Sequence, residues 1–345
     1  MEQVHFRGWI AGLLLLMTQP VRADGHVRLR FATVVPDGTG WAREIHAMQR
    51  QIAAETGGTL EIKWYFGGIA GGEMESIARI RRGQLDGTLG SAFCEQLAPS
   101  LRAVRLPGLA KTRGELLHVL GLLRPTLASE AEREGFVDIG EAPIGTHYFF
   151  TRLPVRDLEQ LRRQRLWVWD LFGADRAVLS AIGLSIVPLP IADAARAFDE
   201  GKIDGFVATP TAALAYQWST RARYVSSVPV NFLEGCLMVS KSAWDELSIP
   251  HRQALRTATA EFAIRTESLS FAQDAELLGG LFNRQGLRRV DATASFREEL
   301  DRAAFQARRQ LDARVVPPAL IADVVRWLAD YRAQRPARTD IPAAR

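Results

Sequence analysis

The chain has 345 residues, of which 47% are hydrophobic, and its formal net charge is +4. A length of this order favours two domains over a single core, and the hydrophobic share is typical of a globular protein. Because the small positive excess consists mainly of arginines scattered among acidic residues, the composition argues against nucleic acid as a partner.

The first 23 residues have the pattern of a secretory signal peptide. A short basic start with Arg7 runs into an apolar block over 9–17, and Pro20 and a small-residue ending at Ala23 follow. The block is shorter than the roughly 20 residues that span a bilayer, so we expect cleavage after Ala23 and a free periplasmic protein. An uncleaved N-terminal membrane anchor is the alternative.

Predicted strands and helices alternate in the first half of the mature chain. Residues 26–35 predict a strand, and Thr39 can cap a helix with apolar residues at helical spacing from Trp41 to Ile52. A strand over 60–65, a helix over 73–82 and a strand after Gly87 follow. This order predicts a parallel α/β sheet.

A short motif occurs twice. Gly83-Gln-Leu-Asp-Gly87 ends one predicted helix and begins a strand, and Gly201-Lys-Ile-Asp-Gly205 does the same in the second half. The first Gly suits a helix C-cap and Asp-Gly suits a tight turn. The repeat predicts two similar lobes; the alternative is that both copies are ordinary turns.

The second half continues with predicted elements of both kinds. Strands are predicted over 165–169, over 184–189, from Phe206 onwards and over 235–240. Helices are predicted over 173–182, 193–198, 211–219, 297–314 and 319–332, and one or two long helices are predicted over 248–281. Residues 333–345 are rich in Arg, Pro and Ala and predict a disordered tail.

The sequence lacks the motifs of a catalytic or metal site. The histidines are dispersed with no H-E-x-x-H, and the glycines at 67, 68, 71 and 72 are not followed by the Gly-Lys-Ser/Thr of a phosphate loop. We therefore expect a protein that is not an enzyme and has no cofactor or metal. An active site assembled from distant residues is the alternative.

The two cysteines, Cys94 and Cys236, cannot form a C-x-x-C redox pair or a metal site. An oxidising compartment would permit one disulfide between them. The sequence does not place their Cα atoms within bridging distance, and two buried thiols are the preferred interpretation.

Turns at the carboxyl ends of strands are where open α/β sheets bind ligands. In the first half these turns carry small, polar or aromatic residues: Thr39, Trp41, Phe66, Gly67, Glu73, Ser91 and Phe93. Their recurrence after three successive strands predicts a ligand site, although each one alone is also explained by turn chemistry.

In the second half, alternation along the strand over 165–169 places Trp167 and Trp169 on one face. We interpret them as an aromatic wall of the site, together with Phe172, Tyr148 and Phe149. The alternative is that a helix of the same lobe covers them.

Nearly the whole mature chain resembles the DctP-type solute receptors of TRAP transporters. The resemblance is carried by Leu-Arg-Phe-Ala-Thr-Val-Val-Pro-Asp-Gly-Thr over 29–39, by residues 55–65 and 80–87, by 203–206, and by Leu-Met-Val-Ser-Lys-Ser-Ala-Trp over 237–244. It implies a two-lobe periplasmic binding protein fold of type II, with a hinge cleft, a long helix that braces both lobes and delivery to membrane permease subunits. The lobes are expected to comprise 24–144 plus 233–272, and 145–232 plus 273–332.

One departure from the family concerns the ligand. Most members carry an Arg in the second-lobe strand that clamps a ligand carboxylate, and here that position is Trp167. Arg165 lies on the same strand face, about 6.6 Å away, and could partly compensate. The sequence is similar to an Arg-lacking branch, for which a tetratricopeptide-repeat partner and an apolar or amphipathic ligand are implied.

The resulting hypothesis is a mainly apolar pocket with a few polar contacts. Its residues are Trp167, Trp169, Phe172 and Phe206, with Thr209, Gln217 and Asn231 as polar groups. The alternative function is a periplasmic sensor that presents its closed form to a membrane signalling protein.

Overall fold

The computed structural model describes residues 25–334. The predicted signal peptide over 1–23 lies outside the described residues, as does the predicted tail apart from residues 333 and 334, which end the last helix. Within the described range, no helix combines the length and the apolar character needed to cross a membrane.

Strands and helices alternate along most of the described chain. The strands are β1 Val27–Thr33, β2 Leu60–Tyr65, β3 Gly87–Gly90, β4 Phe136–Thr151, β5 Arg165–Trp169, β6 Ser185–Leu189, β7 Gly205–Ala208, β8 Tyr224–Ser240 and β9 Arg288–Val290. The helices are α1 Gly40–Glu55, α2 Glu73–Arg81, α3 Cys94–Leu97, α4 Arg113–Arg133, α5 Leu158–Arg162, α6 Gly173–Ala181, α7 Ala194–Asp199, α8 Pro210–Ala215, α9 Lys241–Glu246, α10 Ile249–Glu276, α11 Phe282–Arg284, α12 Ala294–Arg309 and α13 Pro318–Gln334.

The strands form one sheet with the order β2-β1-β3-β8-β4-β7-β5-β6, and β9 pairs with β8. The part built on β1, β2 and β3 is lobe I, and the part built on β5, β6 and β7 is lobe II. Neighbouring strands are parallel within each lobe. The two-lobe α/β architecture predicted from the sequence is therefore present.

The parallel pairing predicted for the first three strands is confirmed, but the centre of the whole sheet is antiparallel. The long strands β4 and β8 pair antiparallel with each other and with β7 and β3 at either side. Each of them carries the chain from one lobe to the other, and since they run in opposite directions the centre of the sheet must be antiparallel. Their pairing is irregular at Pro143/Gly145 and at Thr146/Tyr148, where the sheet passes between the lobes.

The repeated motif has the same structure in both lobes. The Asp86 carboxylate accepts from the backbone N–H of Arg30 (2.7 Å) and pairs with its guanidinium, which also donates to the carbonyl of the first glycine of the motif (2.9 Å). Asp204 and Arg165 make the same three contacts, at 3.0, 2.8 and 2.7 Å. Each Asp therefore ties its turn to the neighbouring parallel strand.

Helix α10 is a single helix of 28 residues, about 42 Å long, and it contacts both lobes. Arg265 pairs with Glu44 of α1 (2.8 Å), and Trp41 of the same helix donates to Ser270 (2.8 Å). Towards its end, Asp274 accepts from Thr211 at the start of α8 (2.9 Å). These contacts make α10 the brace that the family resemblance implied.

Cys94 and Cys236 form a disulfide, so the interpretation of two buried thiols is wrong. The antiparallel pairing of β3 with β8 sets Gly90 opposite Cys236, and the turn after β3 brings Cys94 to a Cα separation of 6.0 Å. This distance lies in the normal range for a bridge. A sheet pairing between residues far apart in sequence creates this proximity.

Candidate functional site

A cavity of about 120 Å³ is walled by residues of both lobes, of β4 and β8 and of α10. Its wall is mostly apolar and includes the rings of Trp41, Trp167, Trp169, Phe172, Tyr216, Trp218 and Phe262. Among the described residues, no lysine or arginine belongs to this wall. Concave, apolar sites with a few polar groups are typical of small-molecule binding.

Lobe I contributes the ends of β1 and β3 and the first residue of α2. Leu89, Gly90 and Ser91 line the cavity where β3 ends. The carboxylate of Glu73 accepts from the backbone N–H groups of Ser91 (3.0 Å) and Phe93 (2.8 Å), and burial raises its pKa. Glu73 thereby fixes the turn after β3 against the start of α2.

Lobe II contributes the tryptophans of β5. Alternation along this strand turns both Trp167 and Trp169 to the cavity wall. The Trp167 ring packs edge-on against Trp218 (4.9 Å between centroids), and its Nε1 donates to the carbonyl of Leu189 (3.0 Å). Trp169 packs edge-on against Phe172 at 5.3 Å. The indoles are held in fixed positions by these contacts.

Two hydrogen bonds join the lobes beside the cavity. The hydroxyl of Tyr216 donates to the carbonyl of Val34 at the end of β1 (3.0 Å). The carboxylate of Glu95 accepts from the backbone N–H of Gly173, the first residue of α6 (2.8 Å). The structure is therefore a closed form in which the lobes touch directly.

The structure brings together seven of the sixteen residues predicted for the site: Trp41, Glu73, Ser91, Trp167, Trp169, Phe172 and Thr209 line the cavity. The other nine lie outside its wall: Thr39, Phe66, Gly67, Phe93, Tyr148, Phe149, Phe206, Gln217 and Asn231. Seven of these nine lie within two positions of a wall residue in the sequence. Their side chains face the adjacent core or the solvent instead.

Several of these nine residues have evident structural roles. Thr39 caps α1 by accepting from Ala42 N–H (3.1 Å). Phe206 lies in the core of lobe II and stacks on Phe150 at 4.9 Å. Gln217 is exposed and has a left-handed backbone with φ 59°, which ends the predicted helix over 211–219 early.

The prediction that Arg165 compensates for the missing family arginine is wrong. Arg165 is exposed, and its guanidinium is paired with Asp204 at the outer end of β5. It is absent from the cavity wall. The position begins the strand, so its long side chain reaches Gly201 and Asp204 in the turn before β7 rather than the cleft.

A buried ionic cluster lies behind the wall, and sequence reasoning missed it. The side chain of Arg105 is 0% exposed, and its guanidinium pairs with the carboxylates of Glu234 and Glu95 (3.3 Å to Glu95). The guanidinium also donates to the Ser91 carbonyl (2.6 Å) and lies 4.7 Å from the centroid of the Phe172 ring. Burial raises the pKa of Glu234, and the Arg105 charge opposes this rise. Each of the three guanidinium nitrogens therefore donates to a group of the protein.

The wall residues of α10 were also missed. Thr259, Phe262, Ala263 and Thr266 line the cavity at a spacing of three to four residues, which is one face of a helix. That periodicity was readable in the sequence. It did not indicate that this face meets a cavity, because strand ends were the expected source of ligand contacts.

Asp274 is the buried acid that joins α10 to the crossing between the lobes. Its carboxylate accepts from the N–H and hydroxyl of Thr211 (2.9 and 2.8 Å) and from Thr146 N–H in β4 (3.3 Å). Burial raises its pKa to about 7, against the opposing effect of these hydrogen bonds. The folded protein therefore holds this proton up to near neutral pH.

We expect Asp274 to make stability depend on pH. An unfolded Asp loses its proton near pH 4, so between about pH 4 and 7 the folded state binds more protons and stability falls as pH rises. Urea unfolding of the wild type and of Asp274→Asn at pH 5, 6, 7 and 8 measures this pH dependence of the unfolding free energy. The stability of the wild type relative to the variant should fall by roughly 3 kcal/mol from pH 5 to 8; parallel pH profiles would contradict the assignment.

Comparison with known proteins agrees with this architecture. The model of the family "Bacterial extracellular solute-binding protein, family 7" (DctP) matches residues 31–311. An uncharacterized protein of Salmonella typhimurium, YiiZ, is 24% identical over 272 residues, which are 77% of this chain and 82% of that protein.

Two solved structures have the same fold. The sugar acid binding protein DctPAm of Advenella mimigardefordensis, in complex with galactonate, has a TM-score of 0.81 at 15% identity and covers 89% of this chain and 99% of its own. A TRAP periplasmic solute binding protein of Desulfovibrio desulfuricans, with bound sn-glycerol-3-phosphate, also has a TM-score of 0.81, at 16% identity, with 89% and 97% covered.

DctP proteins are periplasmic substrate-binding proteins rather than enzymes, and they pass small ligands to membrane permease subunits. The family match spans most of the described chain, and the lobes, the long crossing strands and the cavity agree with it. The chain therefore belongs to the DctP family of bacterial extracellular solute-binding proteins and is the solute-binding component of a TRAP transporter.

Proposed function

We propose that the cavity binds an apolar or amphipathic small organic molecule rather than the organic acids found in related structures. The observation that carries this proposal is the wall itself, in which Trp167 and other rings replace the cationic side chain expected for a carboxylate. The related proteins were solved with galactonate and with sn-glycerol-3-phosphate, which are anions. An anion buried against these rings without a cation would be strongly disfavoured.

The buried Arg105 does not supply the missing charge. It is already paired with Glu95 and Glu234, it does not belong to the cavity wall, and the Phe172 ring of that wall packs on its guanidinium. A ligand carboxylate would have to compete with these two carboxylates, which the folded chain holds in place. Of the three polar contacts proposed from the sequence, Thr209 lines the cavity, whereas Gln217 and Asn231 lie outside its wall.

Binding is proposed to work by closure of the two lobes. An open form admits the ligand, and contacts to both lobes favour the closed form, in which Tyr216 reaches Val34 and Glu95 reaches Gly173. We place the lobe boundaries near 144, 232 and 272, close to the irregular pairing around Gly145 and to the contacts of Asp274. The permease then receives the ligand from the closed form.

Two further elements of the hypothesis concern export and partners. Cleavage after Ala23 would release the mature protein into the periplasm. A tetratricopeptide-repeat protein is proposed as a periplasmic partner, through the resemblance to the Arg-lacking branch. Mass measurement of the exported protein tests the first, and co-purification from periplasm with a tagged chain tests the second.

Native mass spectrometry of protein purified from periplasm tests the ligand class. We expect a non-covalent adduct that organic solvent extracts. Trp167→Ala should weaken binding of the adduct about 30-fold and lower the adduct's occupancy accordingly. The reason is that an indole buried against a ligand contributes roughly 2 kcal/mol to binding. The variant should remain folded but be less stable by about 3 kcal/mol, since Trp167 also packs on Trp218.

The matched control is Trp327→Ala, which removes a partly buried indole of α13 outside the cavity wall. It should keep the adduct. An adduct identified as a sugar acid or a dicarboxylate would contradict the proposal, as would full occupancy in a folded Trp167→Ala protein.

A further inference from the structure

The polar atoms of the cavity wall differ in whether the protein satisfies them. Thr209 Oγ1 accepts from Ala212 N–H (3.1 Å), and the Tyr216 hydroxyl donates to Val34. In contrast, Nε2 of His147 makes no hydrogen bond in the part of the chain that the structure describes, although the ring belongs to the wall and is 2% exposed. This nitrogen is therefore a polar atom of the wall that remains available to a ligand.

Asn231 fixes which nitrogen of His147 carries the proton. The side-chain NH₂ of Asn231 donates to the carbonyl of Arg105 (2.7 Å) and to the carboxyl of Asp175 (2.8 Å). Its amide oxygen therefore faces Nδ1 of His147 at 3.0 Å. Because an amide oxygen can only accept, Nδ1 must donate, and in the neutral ring Nε2 keeps its lone pair.

The ring is neutral across the physiological range. Burial and the nearby Arg105 charge lower the pKa of His147 to about 3, against a smaller opposing effect of Asn231. The charged groups that face it are Arg105 and Asp175, whose carboxyl Oδ2 lies 3.8 Å from Nδ1. Nε2 therefore acts as a hydrogen-bond acceptor and not as a cation.

A second wall residue gives independent support for a hydroxylated ligand. Thr266 of α10 is 4% exposed, and its hydroxyl has no partner among the described residues. An unpaired buried hydroxyl destabilises the folded chain, and a hydrogen bond to a polar group of a ligand would offset that cost. The mostly apolar wall thus includes one residue with an unpaired acceptor, His147, and one with an unpaired buried hydroxyl, Thr266.

We propose that Nε2 of His147 accepts a hydrogen bond from the ligand, and that the ligand is an uncharged molecule with an apolar body and a hydroxyl group. The inference rests on the proposed apolar cavity and makes its ligand class specific. A carboxylate has only acceptor atoms, so it would direct lone pairs at the lone pair of Nε2. A hydroxyl makes a normal O–H···N bond there.

The size of the cavity indicates the size of the apolar body. At about 120 Å³ it is comparable with the engineered apolar cavity of about 150 Å³ that holds benzene. A six-membered ring with one hydroxyl is therefore a suitable probe. Cyclohexanol, methoxycyclohexane and cyclohexanecarboxylate share this ring and differ in whether they donate, only accept or carry a negative charge.

Calorimetric titration of the mature protein with the three ring compounds tests the inference. We expect cyclohexanol to bind about 10-fold more tightly than methoxycyclohexane, and the carboxylate to bind more weakly than either. Equal affinities for the alcohol and the ether would overturn the contact with His147 while leaving the apolar cavity standing. Tightest binding of the carboxylate, or no binding of any of the three, would overturn the proposed function as well.

Two variants isolate the role of His147. His147→Gln can donate its NH₂ to Asn231 and present its oxygen to the cavity, so the preference for the alcohol over the ether should persist. His147→Phe keeps a ring but removes the acceptor, and the preference should fall to about 1. If the Phe variant does not fold, the wild-type ligand series still decides. Equal preferences in the Phe variant and the wild type would overturn the assignment.

Discussion

Replacement of Arg105 by methionine is expected to cost about 3–5 kcal/mol of unfolding free energy, because it removes the cation from a buried ionic cluster. Glu95, Glu234 and the neighbouring Asp175 would remain in the interior without compensation. Burial already raises the pKa of Asp175 well above its ordinary value, and Arg105 opposes that rise. The variant should therefore fold with the carboxyl groups of Asp175 and Glu234 protonated.

This predicts a characteristic pH dependence for Arg105→Met. Carboxyl groups whose pKa is raised in the folded state bind protons that the unfolded state has released above about pH 4, so stability falls as pH rises through that window. Urea unfolding at pH 5.5 and pH 8 should show a larger deficit relative to wild type at pH 8. A deficit independent of pH would contradict this account.

Arg165→Met is the matched control. Arg165 is likewise paired with a carboxylate, that of Asp204, but the pair lies on the surface, where water screens it. Its removal should change stability far less than removal of Arg105. Equal losses for the two variants would show that burial is not the reason for the effect.

Removal of the disulfide should have an effect of similar size. Cys94 and Cys236 are 142 residues apart in the sequence, and a bridge that closes a loop this long stabilises by about 5 kcal/mol in the chain-entropy description. The Cys94→Ala/Cys236→Ala double variant should unfold at a correspondingly lower urea concentration. Cys236 also lines the cavity, so ligand occupancy should fall with stability.

Reduction provides the control for the disulfide. Wild-type protein treated with dithiothreitol should match the double variant, and the variant itself should not respond to the reductant. Thiol titration of the unfolded, unreduced wild type should find no free thiol. Two reactive thiols would instead restore the interpretation that the sequence alone favoured.

The motif around Asp86 and Asp204 shows how local chemistry predicted global organisation. Each Gly and Asp has a role that depends only on its immediate neighbours, namely a helix end and a tight turn. The partner arginines, Arg30 and Arg165, come from strands 56 and 39 residues away, and no local pattern predicts this pairing. The repeat was therefore readable, while the contacts that explain it were not.

The segment between 94 and 164 carried no sequence prediction of its elements. It contains α4 with an internal Pro125 and the long strand β4, whose regular alternation is broken at its bulges. Strand alternation is lost where a strand passes between two lobes, since each face meets different surroundings along its length. The segment without predicted elements therefore contains β4, one of the two strands that carry the chain between the lobes.

The sequence by itself determined the family, the α/β lobes and the substitution of Trp167 for the expected arginine, because these follow from local propensity, periodicity and ordered motifs. Only the tertiary structure decided that Arg105 is neutralised inside the protein, that Arg165 points away and that His147 faces the cavity. Those outcomes depend on residues brought together from α3, β4, β8 and the turn before β7, and contacts between distant segments leave no periodic signal in the chain.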